Sequence, residues 1–396
     1  MLAERMKSVK PSPTLVVSAR AAELARQGVD VVNFSVGEPD FPTPQAIKQA
    51  GIRAIEQDFT RYTASSGIPD LRRAICDKLR RDNGLDYSPD EVIVSSGAKQ
   101  CLFNLALAMF APGDEVILPA PCWVSYEPQV ALPGAAPVLI EARRENGFRV
   151  TPEQLRGALS PRTKALILNS PSNPTGAAYT REQLAGLAAV LEPTRVFVVA
   201  DEIYEKIVYD GFVFTSFAAL GPQWKDRCLV VNGVSKSYAM TGWRIGYAAG
   251  PRAVIGAMGK IQDHSTSNAN SIAQLAALEA IRGPQEEVEA MRRAFQERRD
   301  LMLDWMGRIP GVACPRPQGA FYLFADWRAY LGRRAGGAAV ASCIDLANYL
   351  LDEARVAVVP GAGFCAPGHL RFSYATSPER IAEGMRRVLE AAERLD

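Results

Sequence analysis

The residues here whose type and setting could do chemistry are a lysine, an arginine, a carboxylate and one small-residue turn. Lys236 lies in Val234-Ser235-Lys236-Ser237-Tyr238, soon after the apolar run 228–231. An amine placed there has no helix face along which to snorkel and is expected to be partly desolvated. Desolvation disfavours the ammonium form and leaves a nucleophile suited to condensing with an aldehyde. Arg244 follows closely enough for both cations to face one anionic cofactor. Asp201 stands at the end of the strand-like run 195–200. A carboxylate there is either a cap or functional, because ligands collect at the carboxyl ends of parallel strands. Ser96-Gly97-Ala98-Lys99-Gln100 turns a strand-like run, 91–95, into the apolar helix 101–109. Free amides and the positive end of the helix dipole would make that turn a phosphate cradle. Singly, each feature also reads as something ordinary: a loop lysine, a capping residue, a strand-to-helix turn.

Strands alternating with helices must hold these groups in place. Runs at 91–95, 114–118, 163–168, 195–200 and 228–231 read as buried strands, and shorter ones fall at 31–34, 319–324 and 356–360. Helical stretches are expected at 15–26, 252–260, 272–281, 342–353 and 378–395, with a long charged one at 285–305 that leads into a smaller domain. Residues 1–14 read as an irregular arm, since Lys10-Pro11-Ser12-Pro13-Thr14 cannot be helical throughout. Residues 332–339, rich in glycine, alanine and arginine, read as a mobile loop.

A chain of 396 residues is long for one core and suggests two domains. A net charge of +2 with interspersed signs argues against nucleic acid or an anionic membrane surface as partner. No apolar run reaches the length of a membrane span, and the N-terminal residues lack a signal-peptide core. Seven scattered cysteines without a Cys-x-x-Cys pair, and only two histidines, point away from disulfides and from a metal site. A reducing cytoplasm is the expected location.

In this order and spacing the motifs resemble those of the class I aminotransferases, which use pyridoxal 5′-phosphate, and most closely the bacterial aspartate and prephenate aminotransferases. The resemblance extends over nearly the whole chain. It implies an α/β fold of the fold-type I transferases: a large domain, 45–284, with a mostly parallel seven-stranded sheet sandwiched by helices. A smaller α+β domain, 285–396, would be joined by part of the arm 1–44.

The resemblance also implies roles. Lys236 matches the lysine that forms a Schiff base with the cofactor, and Asp201 the partner of the ring nitrogen. Asn173, in Asn173-Pro174-Thr175-Gly176, and Tyr204 match the donors to the phenolic oxygen. Trp123 matches the aromatic stacked on the ring. Gly97, Ala98, Lys99, Ser235 and Arg244 match the phosphate-binding positions, with Tyr62 reaching the phosphate of a neighbouring subunit. Gly37 and Arg371 match the contacts to the substrate's α-carboxylate, beside Trp123 and Asn173. Lys99 and Thr14 would meet a distal carboxylate, which implies a dicarboxylic substrate.

The reaction implied is transfer of the amino group of L-aspartate to 2-oxoglutarate, by a homodimer with shared sites. Transaminases for prephenate or aromatic substrates, a specialised lyase or cyclase, and a non-catalytic regulator on the same scaffold are the alternatives. Lys236 and Arg371 argue against the last. Two departures bear on the others. Cys122 stands where close relatives usually carry an aromatic residue, leaving space near the ring, and His264 is unusual in a loop that reads as solvated.

Overall fold

The computed structural model describes residues 3, 6, 13–335 and 338–396; the side chains of 13–16, 335 and 338 are outside the description. The strands, in chain order, are β1 (Val32–Asn33), β2 (Val92–Ser95), β3 (Glu115–Ala120), β4 (Ala136–Glu141), β5 (Thr163–Asn169), β6 (Phe197–Asp201) and β7 (Cys228–Gly233). They continue with β8 (Gly246–Ala249), β9 (Tyr322–Asp326), β10 (Arg334–Ala335), β11 (Ala338–Ala339), β12 (Val356–Ala357), β13 (Val359–Pro360) and β14 (His369–Ser373).

Seven of these form one sheet in the order β2-β8-β7-β6-β5-β3-β4. All its neighbours pair in parallel except β8, which runs antiparallel to both β2 and β7. The strand sequences explain why both faces are covered. Ile117, Leu166, Val198 and Val230 point into one apolar core. Their chain neighbours Val116, Ala165, Val199 and Leu229 point into another on the opposite face. Side chains alternate along a strand, so a continuous apolar run serves two cores only when helices lie on both sides. Each fully buried valine or leucine contributes about 1.5–3 kcal/mol relative to exposure.

A further core surrounds the three-stranded antiparallel sheet β13-β14-β9. The long helix Glu286–Met306 presents Phe295, Met302 and Met306 to it, and the helix Pro378–Glu393 presents Met385 and Val388. The N-terminal strand joins this core: β1 pairs in parallel with β12, and Val32 and Phe34 are buried there. The first helix spans Pro13–Arg26, so helix begins inside the stretch expected to be irregular. Proline is tolerated in a helix's first turn, because the missing amide would have had no partner there. Arg334–Ala335 and Ala338–Ala339 pair antiparallel, giving short strands where the sequence suggested a loop.

Candidate active site

Four parallel strands deliver their carboxyl ends to one cavity of about 490 Å³. Trp123 follows β3, Asn173 follows β5, Asp201 ends β6, and Ser235 and Lys236 follow β7; all of them line it. Gly37, Ala98, Lys99, Tyr204, Arg244 and Arg371 complete most of the wall. The site is therefore built at the edge where open α/β sheets collect ligands.

Lys236 has been taken out of water without being given a carboxylate. Its Nζ donates to the Gly37 carbonyl at 2.6 Å and lies 5.9 Å from the centre of the Phe321 ring. Burial pushes its pKa down to about 8, with Arg244 and Arg371 adding to the effect and Glu38 and Asp201 opposing it. At neutral pH about a tenth of the amine is then neutral, where an exposed lysine would have almost none.

Asp201 is displaced the other way. Burial raises its pKa to about 6, against hydrogen bonds from Tyr126 and the Ile203 amide and the charge of Lys236. The Tyr126 hydroxyl donates to Oδ2 at 2.6 Å, and the Ile203 amide makes a longer contact of 3.4 Å with Oδ1.

Arg371 is 1% exposed, although an arginine in a strand usually marks a solvated edge. It lies on the central strand of its sheet, on the face opposite Leu370 and Phe372. Its two terminal nitrogens donate to Asn173 Oδ1 at 3.0 Å and to the Ser35 carbonyl at 2.7 Å. Its Nε is buried without a partner, and the guanidinium packs over Tyr322 at 4.4 Å from the ring centre. The hydroxyls of Tyr204 and Tyr322 are 3.0 Å apart.

The cradle is shaped by glycines. Gly97, with φ +90°, caps the helix Ala98–Met109, and no side chain caps that helix end. A Cβ on Gly97 would fall 2.4 Å from the Arg244 guanidinium. One on Gly246 would fall 2.1 Å from the Ala98 amide nitrogen. Only glycine at these two positions lets Arg244 and β8 approach the helix start. Arg244 itself donates to the Thr241 and Ser96 carbonyls, at 2.9 and 3.2 Å. Gln262 anchors the turn from behind. It accepts from Ser95 Oγ at 2.5 Å and donates to the Ser65 and Val94 carbonyls. The Lys99 ammonium sits 4.8 Å from the Trp123 ring centre, and burial together with Arg244 lowers its pKa.

Other expected residues stand apart. Tyr62 is 91% exposed and outside the cavity wall. His264 is exposed at the end of the helix Arg252–Asp263. Thr14 lies in the first turn of its helix, and its side chain is outside the described residues. Cys122 corrects an expectation: it is buried and lines a small separate cavity, so it opens no space in the main one. Its amide donates to the Phe364 carbonyl at 3.2 Å. Gly37 is less constrained than its expected role suggests, since a Cβ there would meet only Tyr322 Oη, at 3.4 Å.

Tyr126, Tyr322, Glu38 and Gln262 were not singled out by sequence. Glu38 lines the cavity and accepts from Thr241 Oγ1 at 2.6 Å. Tyr126 sits in a motif already under consideration, so proximity to Trp123 was the available signal. Gln262 reads as loop, and nothing local distinguishes it.

The residues present fit pyridoxal phosphate. An uncapped helix start and Arg244 suit a phosphate, Trp123 offers a ring face, and Asp201 offers a buried carboxylate to a ring nitrogen. Arg371 keeps an unsatisfied donor in the same cavity, ready for a carboxylate. Among the described residues no cluster of three or more potential metal ligands occurs, and no helix is long and apolar enough to cross a membrane.

Residues 29–388 match the family model described as aminotransferase class I and II. An aspartate/prephenate aminotransferase of Cereibacter sphaeroides is 52% identical over 389 residues, covering 98% of this chain and 97% of that one. The crystal structure of an aspartate aminotransferase from Rhizobium meliloti superposes with a TM-score of 0.96 at 46% identity, covering 100% of both chains. An aspartate aminotransferase from Thermus thermophilus, solved with maleate, superposes with a TM-score of 0.92 at 44% identity, covering 99% of each.

Proposed function

Since this chain belongs to the class I and II aminotransferases, we propose that it moves the α-amino group of L-aspartate to 2-oxoglutarate, with pyridoxal 5′-phosphate held at Lys236. One observation carries the reading: a half-buried lysine with its pKa pushed down to about 8 shares a cavity with a buried carboxylate and a buried arginine that has a donor to spare.

Lys236 would hold the cofactor, Asp201 its ring nitrogen, Asn173 and Tyr204 its phenolic oxygen, and Trp123 its face. Gly97, Ala98, Lys99, Ser235 and Arg244 would hold its phosphate. The cofactor supplies an electron-withdrawing ring that stabilises negative charge at the substrate's α-carbon. Arg371 binds the α-carboxylate, its planar fork matching two oxygens at once. That contact replaces weaker bonds to Asn173 and Ser35 and satisfies Nε. The bond from Lys236 to the Gly37 carbonyl would be given up once Lys236 holds the cofactor, and the substrate's own amine would then displace Lys236 and free its Nζ. The freed Lys236 Nζ takes the proton from the α-carbon and later returns it, a role for which a pKa near 8 is well matched. Asp201 stays ionised at neutral pH and keeps a proton at the ring nitrogen, which sustains electron withdrawal. Tyr204 and Asn173 keep the ring from rotating, so the reacting atoms stay aligned.

Lys99 at the cavity mouth supports a second carboxylate on the substrate, with Thr14 as its expected helper. The Thermus thermophilus relative solved with maleate, a dicarboxylate, supports the same class. Prephenate is also a 2-oxo acid with a second carboxylate. The name of the Cereibacter sphaeroides relative makes it the second acceptor to test. The exposed Tyr62 supports a homodimer in which each subunit completes the other's phosphate site. A cytoplasmic location agrees with seven free cysteines.

The deciding experiment is a panel of amino donors against oxo acids, with products identified by mass. Aspartate with 2-oxoglutarate should give oxaloacetate and glutamate at the highest kcat/KM. A preference for monocarboxylic pairs would overturn the dicarboxylate reading.

A further inference from the structure

Tyr126 is a buried titratable side chain in the cavity wall to which the proposed chemistry assigns no task. It is 2% exposed and opens the short helix Tyr126–Ala131. Three links leave it. Its hydroxyl donates to Asp201 Oδ2 at 2.6 Å, its ring meets Trp123 edge-on with centroids 5.4 Å apart and planes at 82°, and its amide donates to the Trp123 carbonyl at 3.0 Å. Trp123 follows β3 and Asp201 ends β6, with β5 between them in the sheet. No bond of the sheet itself connects the two side chains, and Tyr126 does.

We propose that Tyr126 is a positioning residue for the cofactor, its hydroxyl fixing the Asp201 carboxylate while its ring braces the Trp123 indole. The inference rests on the roles given above to Asp201 and Trp123. The physical case is one of geometry. A carboxylate can rotate about its Cβ–Cγ bond, and a buried one with a single short partner turns until that bond is satisfied. With Oδ2 committed to Tyr126, Oδ1 is the oxygen left for the cavity, since its own contact with the Ile203 amide is long. T-shaped packing likewise fixes the plane of the indole, because the positive edge of one ring meets the negative face of the other. One residue thereby sets both the in-plane anchor and the stacking plane. A hydrogen bond to a charged acceptor also favours the ionised carboxylate, which burial alone would neutralise.

The test compares Tyr126→Phe, Asp201→Asn and the double variant with wild-type holoenzyme. Tyr126→Phe keeps the ring and removes only the hydroxyl. It should retain the visible absorption of bound pyridoxal phosphate but release the cofactor about tenfold faster, the size expected for one bond to a charged acceptor. The kcat should fall by a similar factor while KM for the amino donor stays within twofold, a split that general loosening of the fold would not give. In the Asp201→Asn background, Tyr126→Phe should add less than twofold, because its target is gone. Full tenfold effects there would overturn the proposal and leave the role of Asp201 standing. Wild-type release and kcat in Asp201→Asn alone would instead remove the role of Asp201, and the proposal with it. Should Tyr126→Phe fail to fold, Tyr126→3-fluorotyrosine retains the shape with a more acidic hydroxyl. Slower cofactor release than wild type supports the proposal, and unchanged or faster release refutes it.

Discussion

This molecule withdraws two lysines and two arginines from solvent, and it treats the pair in the cavity and the two outside it in opposite ways. Outside the cavity, Lys78 is 2% exposed and ion-paired with the buried Glu205, and it also donates to Asn83 at 2.7 Å. Arg299, fully buried, is gripped by Asp210 through both terminal nitrogens and by Asp300. Every cation there has a carboxylate of the chain's own. Within the cavity, Lys236 and Arg371 have only carbonyl or amide oxygens as hydrogen-bond partners. Neither has a carboxylate within ion-pair distance among the described residues. Burying a cation without its counter-ion is expensive. A fold that supplies counter-ions in one place and withholds them in another has left the second place for an incoming anion. The contrast separates structural from chemical cations without appeal to any relative.

The contrast can be broken by exchange. Lys236→Ala should lower transamination by roughly 10⁴-fold or more, since nucleophile and base vanish together, while thermal stability holds or rises. Steady-state rates and calorimetry on the same preparation check both halves. Lys78→Met should do the reverse. Leaving Glu205 unpaired should cost roughly 3–5 kcal/mol of stability in denaturant titration, with the cofactor's visible absorption retained. If Lys78→Met abolished the absorption, or Lys236→Ala unfolded the chain, the distinction would fail.

Arg371→Ala should reduce kcat/KM for aspartate by about 100-fold, the worth of a desolvated contact between guanidinium and carboxylate. Added guanidinium ion should restore part of the rate. A loss below fivefold would mean that the α-carboxylate binds elsewhere. Lys99→Ala should reduce kcat/KM for aspartate by about tenfold and leave a monocarboxylic donor within twofold. Equal losses would tie Lys99 to the phosphate alone.

The smallest effect sharpens the comparison through pH. A lysine with its pKa lowered to about 8 carries more free amine at any given pH than one at its ordinary value of 10.5. Binding of pyridoxal phosphate by the cofactor-free chain should therefore speed up as pH rises through about 8, then level off well below pH 10. A rate still climbing steeply at pH 10 would mean that Lys236 is not desolvated.

Much of this is legible in the sequence alone, and the reasons are local. The strands carrying Asp201 and Lys236 are uninterrupted apolar runs, and a parallel sheet covered on both faces needs just that pattern. Gly97 was readable as part of a phosphate cradle, while the close approach of Arg244 that its missing Cβ allows was not. Arg371 was harder: Leu370 and Phe372 show which face it avoids, and only the packing of Tyr322 and Phe364 against it shows that the other face is also dry. Only nearness to Trp123 hinted at Tyr126, and nothing hinted at Gln262, since their partners lie 75 and 168 residues away in the chain. Residues 13–14 were misjudged because proline's cost depends on its place in a helix, and it is small in the first turn.

The central claim is that Lys236 holds an aldehyde cofactor covalently. Borohydride reduction of the holoenzyme, followed by peptide mass spectrometry, tests it directly. The account predicts one phosphopyridoxyl adduct, on the peptide containing Ser235-Lys236-Ser237. An adduct on Lys99 or Lys78 instead, or an unmodified Lys236 in protein that still carries the cofactor, would contradict it.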